Sequence, residues 1–426
     1  MDVRLDYGRT GLTVQIPDDL DVSILEPSKG VPLADPIGAQ PLAELARGRR
    51  DAAVVISDKT RPIPYGVVLP PLLQTLEAAG MARERIEIIV ATGLHRANTS
   101  DELAAMINPD IVARYRIRNH VARDASQHVH LGRTARGTEI WLDRGLIDAD
   151  LKIVTGLIEP HLMAGFSGGR KAVAPGCAAV DTMRSLHGAA MLEEAIGPGI
   201  IDGNPFHAEL LDVAGRVGVD FLCDVTINRG RQLTGVFAGD LERAHAAGVR
   251  CVEQHVRAEL DRPADVVIAC AGGAPLDDTY YQSIKGMVAA LNVVRRGGTI
   301  VLAAAIGEGV GSDEFQRLLG ETRGNDDFMA RITSPGFFSI DQWMVQHLCQ
   351  VRRKADVILV SGGVSADAAA GLLVSSAPTV EDALARCLEQ YGRAAHVAVL
   401  PQGPYVLGTV RGRKLPLGRA WLDDAA

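Results

Sequence analysis

The segment LKIVTGLIEPHLMAGFSGGRKAVAPG, residues 151–176, joins an apolar run to a glycine-rich loop that carries two cations. Its first part, LKIVTGLI (151–158), is rich in aliphatic and β-branched residues and predicts a buried strand. Similar runs occur at AAVVIS (52–57) and IEIIVAT (86–92), with the helical pattern PPLLQTLEAAG (70–80) between them. Buried strands that alternate with helices predict an α/β fold with mainly parallel sheets.

The same alternation continues along the chain and indicates two α/β domains. The stretch 219–239 predicts two further strands, and DLERAHAAGVRCVEQHV (240–256) predicts a helix. After the polar segment RAELDRPAD, a second series of apolar runs follows at 265–273, 299–305, 356–363 and 396–401. We therefore expect an N-terminal domain (1–260), a C-terminal domain (261–426) and an active-site cleft between them. The last residues, roughly 402–426, are free to pack back on the first domain.

The composition argues against several classes of function. The chain has 426 residues and a formal net charge of −8, so nucleic acid is not an expected partner. No apolar run reaches the roughly 20 residues of a membrane helix, and the start of the chain lacks the pattern of a secretion signal. The six cysteines are scattered without a CxxC pair, which is typical of free thiols in a reducing compartment. We expect a cytoplasmic protein that does not bind membranes.

The loop FSGGRK predicts an anion site. Consecutive glycines, Gly168 and Gly169, let backbone N–H groups approach an anion, and Ser167, Arg170 and Lys171 add donors. The pattern is neither GxGxxG nor GxxxxGK[ST], so it favours a phosphate or carboxylate without specifying a dinucleotide or a nucleoside triphosphate. A plain tight turn with surface cations is the alternative interpretation.

Three histidines are candidates for chemistry. His95 ends ATGLHR and His161 lies in EPHLM, so each follows a predicted strand. Because parallel strands end at one edge of a sheet, both are expected at the same mouth, where they suit acid/base catalysis. His187, in SLHG, is open to two interpretations, a structural helix residue or a soft-metal ligand.

Further charged groups are suited to binding a small acid. SDKTRPIP (57–64) presents Asp58 and Arg61 directly after a strand. Gln282 and Lys285 are three residues apart in YYQSIKGM and share one helix face, although the pattern at Lys285 alone favours an ordinary exposed helix lysine. Together with the loop and the histidines, these residues predict a small-acid enzyme with a phosphorylated cofactor.

At this point six motifs show a family resemblance. In order along residues 57–287, SDKTRP, ATGLHR, EPHLMAGFSGGRKAVAPG, SLHG, GNPFHAE and YYQSIKGM resemble the motifs of the nickel-dependent lactate racemase family. The resemblance implies a nickel-pincer nucleotide, which is a pyridinium-3,5-bisthiocarboxylic acid mononucleotide that holds nickel. Protein expressed without the cofactor-making enzymes would lack this group.

The resemblance also implies a role for each site residue. Lys171 matches the lysine that joins the cofactor as a thioamide, with Ser167, Gly168, Gly169 and Arg170 around it. His187 matches the nickel ligand. The remaining matches are the acid/base pair and the groups at the substrate, namely His95 and His161, then Asp58, Arg61, Gln282 and Lys285.

The implied function is a racemase or epimerase of a 2-hydroxy acid, lactate or a related acid, that works by hydride transfer to the cofactor. Cofactor-maturation proteins are implied partners. The resemblance leaves the side chain of the acid open, and Gly286, beside Lys285, is a candidate for making room there. Two other interpretations remain, a non-catalytic cofactor or small-acid binding protein and a pyridoxal-type enzyme that uses Lys171.

Overall fold

The computed structural model describes residues 1–5, 7–24, 36–365, 368–369 and 371–412. The strands of the described part are β1 (Asp2–Leu5), β2 (Leu12–Gln15), β3 (Asp21–Ile24), β4 (Ala52–Ser57), β5 (Ile86–Ala91), β6 (Arg116–Asn119), β7 (His128–Arg133), β8 (Glu139–Asp143), β9 (Leu151–Leu157), β10 (Pro160–His161), β11 (Gly165–Phe166), β12 (Phe221–Ile227), β13 (Leu233–Gly239), β14 (Arg257–Leu260), β15 (Ala264–Cys270), β16 (Val294–Ala303), β17 (Ala355–Val360), β18 (Ser375–Ser376), β19 (His396–Leu400) and β20 (Leu407–Val410).

The α-helices of the same residues are α1 (Leu42–Ala46), α2 (Tyr65–Ala78), α3 (Ser100–Met106), α4 (Pro109–Arg114), α5 (Arg144–Asp148), α6 (Val180–Leu186), α7 (Ala189–Leu192), α8 (Pro205–Val217), α9 (Leu241–Val256), α10 (Tyr280–Ala290), α11 (Asp313–Glu321), α12 (Asn325–Ile332), α13 (Gln342–Lys354) and α14 (Val380–Tyr391). No helix in the described ranges is both long and apolar enough to cross a bilayer.

The first sheet has the strand order β13-β12-β9-β4-β5-β6. Its pairs are parallel except for β13, which runs antiparallel to β12. The predicted strands at 52–57, 86–92, 151–158 and 219–239 are confirmed, and the first and third of them are buried along almost their whole length. The carboxyl ends of β4, β5 and β9 therefore meet at one edge of this sheet.

The second sheet has the order β18-β17-β16-β15-β19-β3, with every pair parallel. The four predicted strands of the C-terminal half are confirmed as β15, β16, β17 and β19. Together the two sheets confirm the predicted α/β fold with mainly parallel strands.

The beginning of the chain lies with the second sheet and not with the first, so the expected division at residue 260 needs a correction. Strand β3 pairs with β19, and the hairpin β1–β2 places Val3 and Leu5 in one apolar cluster with Val266 and Ile268. The physical reason is that an edge strand such as β19 has unpaired backbone groups, and β3 satisfies them from a distant part of the sequence.

The end of the described chain returns toward the first half. Strand β20 pairs in parallel with β14, and Leu407 packs in a cluster with Ile158, Phe166 and Phe237. Residues 407–410 thus lie against the first half of the chain, while 413–426 lie outside the described residues.

The predicted helix at 70–80 begins earlier than expected. Helix α2 starts at Tyr65, and Pro70 and Pro71 lie inside it. The Tyr65 hydroxyl lies 3.1 Å from Thr155 Oγ1, and a continuous buried face runs from Tyr65 to Leu76. Burial of this apolar stripe outweighs the hydrogen bonds that the two prolines cannot donate.

Helix α10 packs tightly on the second sheet. A Cβ atom added at Gly286 would lie 2.5 Å from the Cys270 carbonyl oxygen and 2.8 Å from Leu302 Cδ1. The expectation that Gly286 makes room for substrate is therefore wrong, because its open side faces β15 and β16. The close contact instead sets the distance between the second sheet and α10, the helix that carries Gln282 and Lys285.

This packing predicts opposite effects for two glycine substitutions. Gly286→Ala should lower the free energy of unfolding by about 1–3 kcal/mol, because the methyl group meets the backbone of β15. Gly215→Ala, on an exposed face of α8 with nothing within 4 Å, should raise it by about 0.5–1 kcal/mol. Urea unfolding of both variants checks this, and a Gly286→Ala protein as stable as the wild type would show that α10 moves freely off the sheet.

Candidate active site

One cavity of about 950 Å³, partly open to solvent, lies between the carboxyl edge of the first sheet and helices α10 and α13. The segments after β4, β5 and β9 form one wall, and Tyr281, Trp343 and Met344 contribute to the other. Most of the predicted site residues line it, namely Asp58, Arg61, His95, His161, Ser167, Gly168, Lys171, His187, Gln282 and Lys285. Gly169 and Arg170 do not.

His95 and Asp58 form an oriented pair. His95 Nδ1 lies 2.6 Å from Asp58 Oδ2, and the other carboxylate oxygen accepts from the Thr60 hydroxyl at 2.6 Å. Burial opposes ionisation of Asp58, but the charge and hydrogen bond of His95, together with Thr60, outweigh it and lower the pKa of Asp58 to about 2. An ionised carboxylate only accepts, so His95 carries its proton on Nδ1 and presents the Nε2 lone pair toward Gln282, whose Nε2 is 3.3 Å away.

This geometry corrects the expected role of Asp58. We expected it among the substrate-binding groups, but its oxygens are taken by His95 and Thr60. A carboxylate would also repel an acidic substrate. Asp58 is instead suited to fix the tautomer of His95.

His161 and Lys171 form a second pair. The short hairpin of β10 and β11 places His161 Nε2 2.8 Å from Lys171 Nζ. The other ring nitrogen, Nδ1, accepts from the backbone N–H groups of Met163 and Ala164, both at 3.1 Å. Burial, reinforced by neighbouring cations, moves the pKa of His161 and the pKa of Lys171 well below their usual ranges.

Two residues of the glycine loop face the cavity. Ser167 and Gly168 line it, and the Ser167 hydroxyl is buried with no hydrogen-bond partner among the described residues. Gly168 has φ +83°, a backbone conformation that favours glycine. The part of the loop formed by Ser167 and Gly168 is therefore the part that could bind an anion in the cavity.

The expectation for Gly169 and Arg170 is not met. The Gly169 N–H group donates to Asp224 Oδ2 at 2.8 Å. Arg170 is fully buried and donates to the Ala164 carbonyl at 2.7 Å, with Nη1 2.7 Å from His245 Nε2. The Gly169 N–H group and the terminal nitrogens of Arg170 have partners inside the protein, and Arg170 Nε is buried without a partner among the described residues. Both residues therefore support the loop from its buried side.

Sequence reasoning missed Asp224 and His245, which hold the loop. A signal existed for Asp224, since a carboxylate inside the apolar run FLCDVTI is unusual unless it has a partner. Glu159 was also missed, although it directly follows the strand LKIVTGLI. Its Oε1 forms an ion pair with Arg61 Nε at 3.0 Å.

His187 is a buried histidine that lines the cavity. It caps the C-terminus of α6 and packs against Trp343 and Phe206, with ring centroids 4.6 Å and 5.4 Å away. Its Nδ1 is buried without a hydrogen-bond partner among the described residues. Burial, followed by the charge of Lys171, lowers the pKa of His187 to about 3, which leaves a neutral imidazole lone pair. In the described ranges, no three histidine, cysteine or acidic residues cluster as a metal site.

The cations of the cavity are concentrated around Arg61 and Lys285. Burial, together with the charge of Arg61, lowers the pKa of Lys285 to about 7, although Glu159 and Asp58 oppose the shift. Gln282 lies on the same face of α10 as Lys285. A cationic pair of this kind is suited to a small carboxylate.

Fold and cavity together define a two-domain α/β protein whose cleft is equipped for acid/base chemistry on an anion. Two family models match the chain, the lactate racemase N-terminal domain over residues 7–197 and the lactate racemase C-terminal domain over residues 260–407. The chain belongs to the lactate racemase family of isomerases.

Two curated relatives agree with this assignment. The lactate racemase of Thermoanaerobacterium thermosaccharolyticum is 30% identical over 421 residues, which are 95% of this chain and 98% of the relative. The lactate racemase of Lactiplantibacillus plantarum is 34% identical over 374 residues, 87% of this chain and 88% of the relative.

Solved structures give the same result. The lactate racemase apoprotein from T. thermosaccharolyticum superposes with a TM-score of 0.89 at 30% identity, covering 96% of this chain and 100% of that one. A Thermotoga maritima protein has a TM-score of 0.71 at 19% identity, over 87% of this chain and 96% of its own, and shows the same fold.

The buried carboxylate beneath the loop predicts a pH-dependent stability. Burial, opposed by the Gly169 N–H group and Arg170, raises the pKa of Asp224 from 3.8 to about 7. The folded protein therefore keeps a proton that the unfolded chain releases, so this contribution to stability is fully present below pH 3.8 and is lost as the pH rises through about 7.

Asp224→Asn should remove this part of the pH dependence while it keeps an acceptor for Gly169. The expected difference from the wild type, measured by urea unfolding between about pH 4 and about pH 8, is of the order of 4 kcal/mol. Asp202→Asn, at an exposed carboxylate, is the control. Parallel curves for the wild type and Asp224→Asn would contradict the assignment.

Proposed function

We propose that this protein interconverts the enantiomers of a 2-hydroxy acid, lactate or a related acid, with a nickel-pincer nucleotide attached at Lys171. The observation that carries the proposal is the joint placement of the pairs His95–Asp58 and His161–Lys171 in one cavity with Arg61. The names of the two curated relatives support the substrate class.

The residues of the cavity fit the cofactor. Lys171 offers an amine for the covalent bond, and the unpaired Ser167 hydroxyl with the Gly168 backbone offers donors for a phosphate. His187 offers a neutral imidazole nitrogen that would hold the nickel ion. When bound, the group supplies the acceptor for the hydride at C2 of the substrate.

Arg61 and Lys285 hold the substrate carboxylate in this proposal. Arg61 approaches from the first domain, where its Nε pairs with Glu159 and its Nη1 donates to the Thr60 hydroxyl at 3.2 Å, so Nη2 remains for the substrate carboxylate. Lys285 approaches from α10, and Tyr281 and Trp343 exclude water beside it. Charge-assisted contacts are strongest in such a dry site.

The histidines hold and move the hydroxyl proton. The C2 hydrogen of a 2-hydroxy acid is too weakly acidic for a histidine to remove as a proton, so hydride transfer with loss of the hydroxyl proton is the feasible route. His95 presents a lone pair at Nε2 and is set to take that proton, and Asp58 then stabilises the imidazolium.

His161 differs from His95 in the protonation of Nε2, the ring nitrogen that faces the cavity in both residues. It presents an N–H at Nε2, because its Nδ1 already accepts two backbone N–H groups. His95 can take a proton and His161 can give one, so this proton distribution suits one direction of the reaction. The reverse direction requires the opposite distribution. A flat 2-keto acid that turns about its held carboxylate would present its oxygen to each histidine in turn.

The His95–Asp58 pair separates this proposal from the binding-protein alternative. Storage of a cofactor would use Lys171 and His187 but has no need of an oriented base. We further propose a cytoplasmic location and help from cofactor-maturation proteins, which the free cysteines and the lysine attachment support.

Protein produced together with the cofactor-making enzymes tests the proposal. The wild type should gain mass, bind nickel and racemise a 2-hydroxy acid, and Lys171→Ala should gain no mass. His187→Ala should lower the nickel content, whereas His95→Ala should keep the nickel and lose activity about 10²- to 10⁴-fold. An unmodified wild type that still racemises the acid would contradict the proposal, as would loss of nickel in both histidine variants. An absorbance spectrum of pyridoxal type would favour that alternative.

The pKa of Lys285 predicts an alkaline limit on activity. Only the ammonium form binds a carboxylate, so kcat/KM should fall as the pH rises through about 7. Lys285→Arg keeps its charge at higher pH and should flatten this limb, whatever its effect on the maximum. Lys152→Arg, outside the cavity, is the matched control. If kcat/KM of Lys285→Arg fell at high pH as in the wild type, the fall would be due to the titration of another group.

A further inference from the structure

The contact between His161 and Lys171 determines where the protons lie in the unloaded protein. A neutral imidazole has one N–H group and one lone pair. The Nδ1 atom of His161 accepts from the N–H groups of Met163 and Ala164, so it carries the lone pair. The proton of His161 is therefore on Nε2, the atom 2.8 Å from Lys171 Nζ.

That placement decides the protonation state of Lys171. An ammonium group has three N–H donors and no acceptor. If Lys171 were an ammonium, two donors would face each other and no hydrogen bond to His161 Nε2–H could form. A neutral amine has a lone pair and accepts the hydrogen bond. The geometry of this pair is satisfied only when His161 donates and Lys171 is the free amine.

The surrounding charges act in the same direction. Arg61, Lys285 and Arg170 place positive charge near Lys171, and Glu159 is the one anion that favours the ammonium form. His187 is neutral at ordinary pH, since burial lowers its pKa to about 3. Burial itself is the largest cause that lowers the pKa of Lys171.

We propose that His161 holds Lys171 as a nucleophilic free amine before any cofactor is attached, and so has a role in loading that precedes its role in turnover. The protonation state stands on the hydrogen bonds of the unloaded chain. Only the use of the amine for cofactor attachment rests on the proposed function. The backbone N–H groups of Met163 and Ala164 are part of the device, because they dictate the tautomer.

Competitive acetylation of the unloaded full-length protein tests this state. Trace acetic anhydride transfers an acetyl group to a free amine, with release of acetate and a proton, and leaves ammonium groups untouched. The acetylation rate at Lys171 is followed by peptide mass spectrometry against a small amine standard from about pH 5 to about pH 11. This rate should reach its plateau at a pH well below the pH at which an ordinary lysine reaches its plateau. A plateau near the ordinary lysine range would overturn the proposal.

A matched pair of variants isolates His161 from the burial and the cations. His161→Phe keeps the ring volume but removes the donor, so the Lys171 rate at about pH 7 should fall about tenfold relative to its own plateau. His95→Phe alters the same cavity without touching Lys171 and should leave the profile unchanged. Equal pH profiles for the wild type and His161→Phe would show that burial and the nearby cations determine the protonation state of Lys171 without His161, and would refute the role of His161.

Two further measurements keep the inference testable if the variant does not fold. Nitrogen-15 shifts of the wild-type ring should show a protonated Nε2 and a bare Nδ1 near neutral pH, and a protonated Nδ1 would contradict the inference. When produced with the cofactor-making enzymes, His161→Phe should contain a smaller mass-shifted fraction than His95→Phe. The acetylation and nitrogen-15 results need no cofactor and no substrate, so they stand even if the wild type proves not to be a racemase.

Discussion

A buried carboxylate beneath the glycine loop positions the first-domain wall of the cavity. Asp224, on β12, accepts from the Gly169 N–H group and lies against the glycines at 156 and 168. A Cβ atom at Gly168 would lie 2.5 Å from Asp224 Oδ2, and one at Gly156 would lie 2.6 Å from Oδ1. The loop can descend onto the sheet only because both residues lack a side chain. That descent brings Lys171 within reach of His161, and the rest of the site is arranged around this pair.

The charged side chains of the cavity are buried or half-buried, and burial disfavours their ionised forms. Arg61 and Lys285 face the space, while Asp58 and Glu159 supply the negative charge beside them. Both carboxylates have partners, Asp58 in His95 and Thr60 and Glu159 in Arg61, so neither meets an incoming anion without compensation. Burial lowers the pKa of Lys285 to about 7.

The two halves of the chain are joined by more than the segment at 257–263. Strand β3 lies in the second sheet, and Leu407 of β20 packs against the first-domain cluster around Phe166. Across the mouth of the cleft, Lys59 bridges to Glu308 at 2.7 Å and Arg123 to Glu314 at 2.7 Å. Exposed ion pairs of this kind contribute about 0–1 kcal/mol each, so they add little to the stability of the contact between the two halves.

Local pattern in the sequence determined the strands, the α/β class and the position of His95 and His161. Each of these follows from apolar runs and from the rule that parallel strands end at one edge. The tertiary structure alone decided that β3 belongs to the second sheet, that the open side of Gly286 faces Cys270, and that Arg170 points into the protein. The reason is physical: which side of a loop or helix is buried, and which distant backbone completes a sheet edge, depends on contacts between residues far apart in the chain. The tautomers of His95 and His161 are of the same kind, because they are set by partners that only the fold brings within hydrogen-bond distance.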